Sequence, residues 1–297
     1  MALKFSAVIN CFNEEDFIEY AITSISEHCD EIVVVDNCSK DNTVLKIKSL
    51  CKKNKNINEK VQLFALNKPK QLADARNFGI EQATNDWIIK WDGDFCAYSD
   101  SDSINEKIKP FSELINLIER TYENYDIYLL HSLNICGDLY HFDKTRKYLG
   151  LSGDSFIGRK DCMSYGVNEK YGDVGILRRP DGRTPRFFRL NDPERDPMFF
   201  LHIYGVKNDE YLLYRRFLSE FQVWVANNAH IDFWEWMREV KDYDKESGVI
   251  YVQKQLLSNM EKHDLPLPSV LEPAIESPKY LIEYDNGIPV NRQRYIK

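Results

Sequence analysis

At 297 residues, with 43% hydrophobic and 29% charged residues, the chain can bury a substantial core in one large or two small domains, and its composition excludes overall disorder. A formal net charge of −8 opposes general affinity for phosphate backbones, so a nucleic-acid partner needs a local basic patch working against the overall field. The seven cysteines (Cys11, Cys29, Cys38, Cys51, Cys96, Cys136 and Cys162) form no CxxC pair and no metal-like spacing, which reads as reduced thiols in a cytoplasmic protein.

The N-terminus "MALKFSAVIN" runs straight into a strand pattern rather than a signal peptide. No apolar run approaches the roughly 20 residues of a membrane span, so any membrane association is expected to be peripheral docking. "KFSAVI" reads as a buried strand, and "EEDFIEYAITSISEH" has Phe17, Ile18, Ala21, Ile22 and Ile25 at helical spacing. "EIVVVD" is a second, β-branched strand. "SKDNTVLKIKSLCKK" follows as one helix, then strand "VQLFAL", helix "QLADARNFGIEQA" and strand "DWIIKW". Strands alternating with helices in this way predict βαβ units and a parallel sheet.

Beyond residue 100 the regularity fades. "IKPFSELINLIERTYEN" reads as a helix, "DIYLLHSL" and "DLYHF" as strands, and residues 150–200 are rich in Gly, Asp and Arg without clear periodicity. "NDEYLLYRRFLSEFQVWVANN", "HIDFWEWMREV" and "VIYVQKQLLSNME" read as helices. The tail from Leu265, with Pro266, Pro268, Pro273, Pro278 and Pro289, is expected to lie extended on the surface.

Ligands of parallel α/β sheets bind beyond the carboxyl ends of the strands. That rule singles out "NCFNEE", "DNCS" and "DGD", three polar clusters converging on one edge. In "IIKWDGDF" an apolar strand stops on two carboxylates, Asp92 and Asp94, which repel unless something positive sits beside them.

The stretches "AVINCFNEEDFIEYAITSI", "EIVVVDNCSKDNT" and "ADARNFGIEQATNDWIIKWDGD", in that order and spacing, resemble the family 2 glycosyltransferases of the GT-A fold. The resemblance implies an α/β, Rossmann-like, mostly parallel sheet flanked by helices, with a smaller acceptor-side subdomain and C-terminal helices. It places the donor half in residues 1–100, the acceptor half in 101–228, and helices with a Pro-rich tail in 229–297. Phe12 would lie against the nucleotide base, Glu14 near the ribose, and Asp36 would accept the imide N–H of a uracil; Arg76 would reach that base or hold Asp36. Asp94 would ligate Mn²⁺ or Mg²⁺, Asp92 would contact ribose or reach the metal through water, and Gly93 would let the backbone turn. "PRFFRLN" and "FLHIYGVKNDEYLLYRR" resemble later family segments more loosely. They imply His202 at the diphosphate or the metal, with Arg186, Arg189 and Lys207 neutralising the leaving group.

The activity implied is inverting transfer of a hexosyl or pentosyl group from a UDP-sugar to a hydroxyl acceptor: a glycan, a lipid-linked sugar, a protein or, more remotely, a modified nucleic-acid base. The general base is sought in "RLNDPERDP", among Asp192, Glu194 and Asp196, with Asp154 and Asp173 behind them. Each motif also has a bland reading: Asp36 as a turn cap, Asp92 and Asp94 as a solvated turn, Phe12 and His202 as core. Arg178, Arg179, Arg183, Arg186 and Arg189 read either as a solvated basic loop or as a site for a phosphate-bearing ligand, and Phe233, Trp234 and Trp236 as core or an interface, with acceptor stacking or membrane docking as the rarer alternative. Two rivals remain. A nucleotidyltransferase wants a Gly-rich basic loop where this chain has acidic "NCFNEE", and a non-catalytic scaffold of the same fold would bind UDP without turnover.

Overall fold

Six residues of strand β2 (Glu31–Asp36) are all buried, and β1 (Phe5–Cys11) is buried except at Asn10. Such strands belong in a sheet covered on both faces. The computed structural model describes residues 3–102, 105–150, 155–168, 172–227 and 231–294, so Asp154 lies outside the described residues. The chain divides into two compact units, one of Met1–Leu133, Tyr148–Ile203 and Pro266–Glu272, the other of Asn134–Lys147, Tyr204–Leu265 and Pro273–Lys297.

The first unit is built on a seven-stranded sheet. Its remaining strands are β3 (Val61–Ala65), β4 (Trp87–Asp92), β6 (Ile127–Leu130), β10 (Phe156–Arg159) and β13 (Phe187–Leu190). Their order is β13-β6-β10-β4-β1-β2-β3, with β4 at the centre. Only β10 runs antiparallel to its neighbours; all other pairings are parallel. The carboxyl ends of six strands therefore share one edge. The expected α/β, mostly parallel architecture is present.

Helix α1 (Ile18–Ile25) buries Ile18, Ala21, Ile22 and Ile25, and α5 (Phe111–Thr121) buries Phe111, Leu114 and Ile118. They pack with Ile9, Ile32, Val34, Ile89 and Trp91 into the core on one face of the sheet. On the other face α4 (Leu72–Gln82) supplies Ala73, Ala75 and Ile80 against Val8, Val33, Val35 and Ile88. Gly79 makes this approach possible, because a Cβ there would stand 2.7 Å from Val8 Cγ1. The helix expected over 39–53 continues after a break at Asn54, so α2 (Thr43–Lys53) is followed by α3 (Lys55–Lys60). Asn54 is extended and its Oδ1 accepts from Ile57 N (3.1 Å), capping the second helix in place of prolonging the first.

"DIYLLHSL" is likewise two strands rather than one, β6 and β7 (Ser132–Cys136), separated at His131. β6 stays in the large sheet, whereas Ser132 and Leu133 pair with the two-residue strand β9 (Tyr148–Leu149). Strand β5 (Phe95–Ala97) pairs antiparallel with β14 (Phe200–Gly205), and β11 (Met163–Asn168) with β12 (Gly172–Leu177) forms a hairpin that the glycine-rich sequence concealed.

In the second unit, α6 (Asp209–Asn227), α7 (Phe233–Glu239) and α8 (Lys245–Asn259) enclose Leu213, Phe217, Phe233, Trp236, Met237 and Val252. Phe233 and Trp236 are thus core, as the bland reading held, while Trp234 is partly exposed. Strand β8 (His141–Asp143) pairs with β15 (Met260–Lys262). The tail is not simply extended. After the short helix α9 (Glu272–Glu276) it forms a hairpin, β16 (Tyr280–Asp285) with β17 (Ile288–Arg294), turning on Asn286 and Gly287, both at positive φ. Arg292 anchors the hairpin: fully buried, it donates to Gly137 O (2.7 Å), Lys207 O (2.6 Å) and Asp209 Oδ1 (2.6 Å). Among the described residues no helix is long and apolar enough to cross a membrane.

Candidate active site at the carboxyl edge of the sheet

The loops after β1 and β2 are sewn together. Asn13, left-handed at φ 56°, takes Ser39 Oγ on its N–H (2.8 Å), and its Oδ1 accepts from Lys40 N (2.7 Å). Glu14 N donates to Thr43 Oγ1 (2.8 Å) and Glu15 N to Asp41 Oδ2 (3.1 Å). These bonds fix the half-buried Phe12 and the buried Glu14 at the edge. Cys11 lies beneath them; burial pushes its thiol well above the usual range, with Asp36 and Glu14 adding to the effect.

Asp36 ends β2, is 2% exposed, and stands in register with Cys11. One carboxylate oxygen accepts from Ser39 N (3.1 Å), so Asp36 does cap its turn; the other has Cys11 Sγ at 3.7 Å as its partner among the described residues. Asp92 ends β4 in register with Asn10. Strand alternation sets Asp36 on the α1 face with Ile32 and Val34, and Asp92 on the α4 face with Ile88. The two carboxylates therefore straddle the end of β1 from opposite faces.

On the α4 face Lys90 Nζ lies 2.5 Å from Asp92 Oδ2, and Arg76 Nη2 lies 3.8 Å from Asp92 Oδ1. Burial alone would raise the Asp92 carboxyl, but Lys90 first and Arg76 second outweigh it and hold the group below the usual range. Arg76, expected at the base or at Asp36, is engaged with Asp92 and also covers the Tyr165 ring at 5.0 Å. Lys90 was visible in "IIKWDGDF" yet was read only as part of a strand. Asn10 opens "NCFNEE" but carries no role of its own in the sequence reading, and its buried Oδ1 has no hydrogen-bond partner among the described residues, an acceptor left open at the edge.

Asp94, 3% exposed, immediately precedes β5 and accepts from Ile203 N through its backbone oxygen (2.8 Å), which extends the β5–β14 ladder. His202 on β14 thereby meets it, Nε2 to Oδ1 at 3.5 Å, with Phe95 edge-on to the imidazole at 5.0 Å. At Gly93 the constraint is proximity rather than φ: a Cβ there would lie 3.0 Å from Glu14 Cγ and 3.2 Å from Cys11 Cβ and would press on both. Among the described residues no group of three His, Cys, Asp or Glu side chains is arranged to hold a metal ion unaided. A carboxylate and an imidazole 3.5 Å apart nevertheless fit a divalent cation that draws its other ligands from a diphosphate and water.

The loop after β13 opens on this same edge. Asp192 and Asp196 are taken up in its own turn: Asp192 N donates to Asp196 Oδ2 (2.9 Å), and Asp192 Oδ1 accepts from Glu194 N (3.1 Å). The Glu194 side chain is exposed and without a partner among the described residues. At Asp173, in β12, only the backbone is described.

The arginine cluster resolves otherwise. Arg186 precedes β13, at the opposite edge of the sheet, and clasps Asp126 with Nη2 to Oδ1 at 2.9 Å and Nε to Oδ2 at 3.2 Å. Arg179 approaches the same carboxylate (3.7 Å) and Arg183 pairs with Asp181. Neutralisation of a leaving group by Arg186 is corrected accordingly, since it sits at the amino ends of the strands. Arg189 lies along the Phe187 ring, and Lys207, in the second unit, is buried over Tyr211.

Parallel strands closing on aspartates at one edge make that edge the place for a ligand. The model of the glycosyl transferase family 2 matches residues 6–179, and the chain belongs to that family. Among solved structures it is similar to S. aureus TarS 1–349 in complex with UDP, at 14% identity and a TM-score of 0.45 over 83% of this chain and 74% of that one. A UDP-GlcNAc complex of the same protein gives 13% identity and 0.45 over 86% and 81%. Glucosyl-3-phosphoglycerate synthase from Mycobacterium tuberculosis, with Mn²⁺, UDP and glucosyl-3-phosphoglycerate, gives 18% identity and 0.31 over 43% of each chain. Similarity at this level transfers no substrate to this chain. No curated protein matches it.

Proposed function

We propose that the chain transfers a sugar, with inversion, from a UDP-sugar to a hydroxyl acceptor and depends on Mn²⁺ or Mg²⁺. The observation that carries this reading is the gathering of four carboxylates (Glu14, Asp36, Asp92, Asp94) and two cations (Lys90, Arg76) at one edge of a parallel sheet. These six groups alone sum to two negative charges, so they favour an anionic donor that arrives together with a divalent cation.

Asp36 takes the imide N–H of the base with the oxygen not used in its cap, and Phe12 lies against the ring. Glu14 and Asp92 serve the ribose side. Asp94 and His202 would hold the cation, which supplies charge stabilisation to the departing diphosphate. Glu194 is assigned as general base, because Asp192 and Asp196 spend their carboxylates on shaping the loop. It removes the acceptor hydroxyl proton as that oxygen attacks the anomeric carbon opposite the diphosphate. The bond from that carbon to the phosphate oxygen breaks with its electron pair leaving on UDP. In this reading residues 1–100 carry the donor side, and 101–228 the acceptor side.

A thermal-shift panel of UDP, ADP, GDP and UDP-sugars with and without Mn²⁺ tests the proposal, because ligand stabilisation grows with concentration over Kd. Selective stabilisation by uridine nucleotides in Mn²⁺ supports it. With UTP, ATP and GTP added to the panel, selective stabilisation by a nucleoside triphosphate supports the nucleotidyltransferase instead.

A further inference from the structure

Lysine is out of place where Lys90 stands. β4 is the central strand of seven, its preceding residue on the same face, Ile88, is core, and its ladder partner Val8 is core too. Strands covered on both faces are apolar, and a buried ammonium is unfavourable unless paired. Here the lysine side chain is 10% exposed, its Nζ lies 4.9 Å from the centroid of the Phe95 ring, and the same Nζ meets Asp92 Oδ2 at 2.5 Å. Arg76 serves the other oxygen of the same carboxylate. Each oxygen of Asp92 thus has its own cation.

A structural ion pair is the plain alternative. Yet buried pairs are commonly no more stable than apolar residues packed in their place, and this pair stands at the strand end beside Asp94 and the open Asn10 acceptor. We infer that Lys90 is a positioning residue for the nucleoside diphosphate donor, fixing the Asp92 carboxylate in one orientation toward the bound nucleotide. Asp92, already carrying two cations, is thereby reserved for the nucleotide, and the metal falls to Asp94 and His202. This inference rests on the donor reading above.

A double-mutant cycle tests it by calorimetric titration of UDP in Mn²⁺. Lys90→Met weakens UDP binding about tenfold or more, the scale of a lost charged hydrogen bond, whereas Lys90→Arg keeps affinity within about threefold. In the Asp92→Asn background Lys90→Met changes affinity by less than about twofold, since residues acting through one contact are not additive. Unchanged affinity in Lys90→Met, or the same loss in both backgrounds, overturns the inference. If Lys90→Met does not fold, Lys90→Gln completes the same cycle. Wild-type protein that binds UDP while indifferent to Lys90 removes this inference alone; wild-type protein that binds no UDP removes the donor reading and this inference with it.

Discussion

Asp94 and His202 come from segments more than one hundred residues apart and meet at 3.5 Å, His202 facing Phe95 across the β5–β14 ladder. One antiparallel pairing therefore builds the side of the site where a cation fits. Asp92, two residues before Asp94, is engaged by Lys90 and Arg76, so the two carboxylates of "DGD" stand in different electrostatic settings.

His202→Ala is expected to weaken the Mn²⁺-dependent part of UDP binding by about tenfold or more, in the range seen when groups supporting a metal site are removed. Titrating Mn²⁺ at fixed UDP measures it. An unchanged Mn²⁺ requirement would return His202 to the core.

Asp36→Ala is expected to cost about 1 to 3 kcal/mol of UDP affinity, the range for a hydrogen bond involving a charged group. The lost Ser39 cap adds a fall in melting temperature worth about 0.5 to 1.5 kcal/mol. A variant with the lower melting temperature and full UDP affinity would show the carboxylate to be a cap only.

Glu194→Gln is expected to lower transfer, or slow donor hydrolysis, by about 10² to 10⁴ while UDP binding stays intact. Asp192→Ala and Asp196→Ala act through loop order and are partly restored by Asn. Near wild-type turnover in Glu194→Gln would move the base elsewhere in the acceptor half.

What the sequence displayed well was the repeating βαβ frame and the residues at strand ends, because parallel strands must be apolar and ligand groups must follow them. It hid contacts that only pairing creates. Nothing in "IIKWDGDF" says that Lys90 turns toward Asp92, and nothing in the arginine-rich stretch says that Arg186 is drawn to Asp126, sixty residues away. The hairpin at Asn286 and Gly287 was legible as a turn signal and was obscured by the surrounding prolines.

The clasp on Asp126 has a pH signature. Hydrogen bonds from the Arg186 side chain chiefly, then its backbone N–H and the charges of Arg186 and Arg179, hold the carboxyl below its usual range against the effect of burial. A group lowered in the folded state stabilises fully above its unfolded value, near 3.9, and loses that contribution as pH falls through the folded value. Asp126→Asn should therefore be less stable than wild type at neutral pH, with the gap closing below about pH 4 in thermal melts. A gap independent of pH would mean that packing, not charge, is lost.

Arg292→Met should destabilise the protein by about 3 kcal/mol, since it strips Asp209 Oδ1 and two buried carbonyls of a charged donor, leaving Asp209 only Gln253 among the described residues. Chemical denaturation measures this, and a loss below about 0.5 kcal/mol, the scale of a surface substitution, would show that the tail hairpin is held by other contacts.

The most direct test of the account is calorimetry of UDP with wild-type protein and Asp94→Ala, each in Mn²⁺ and in EDTA. The account predicts that wild-type affinity falls about tenfold or more in EDTA and that Asp94→Ala binds UDP weakly and equally in both. Equal wild-type affinity with and without the cation, or an Asp94→Ala variant that keeps the full Mn²⁺ effect, would contradict it.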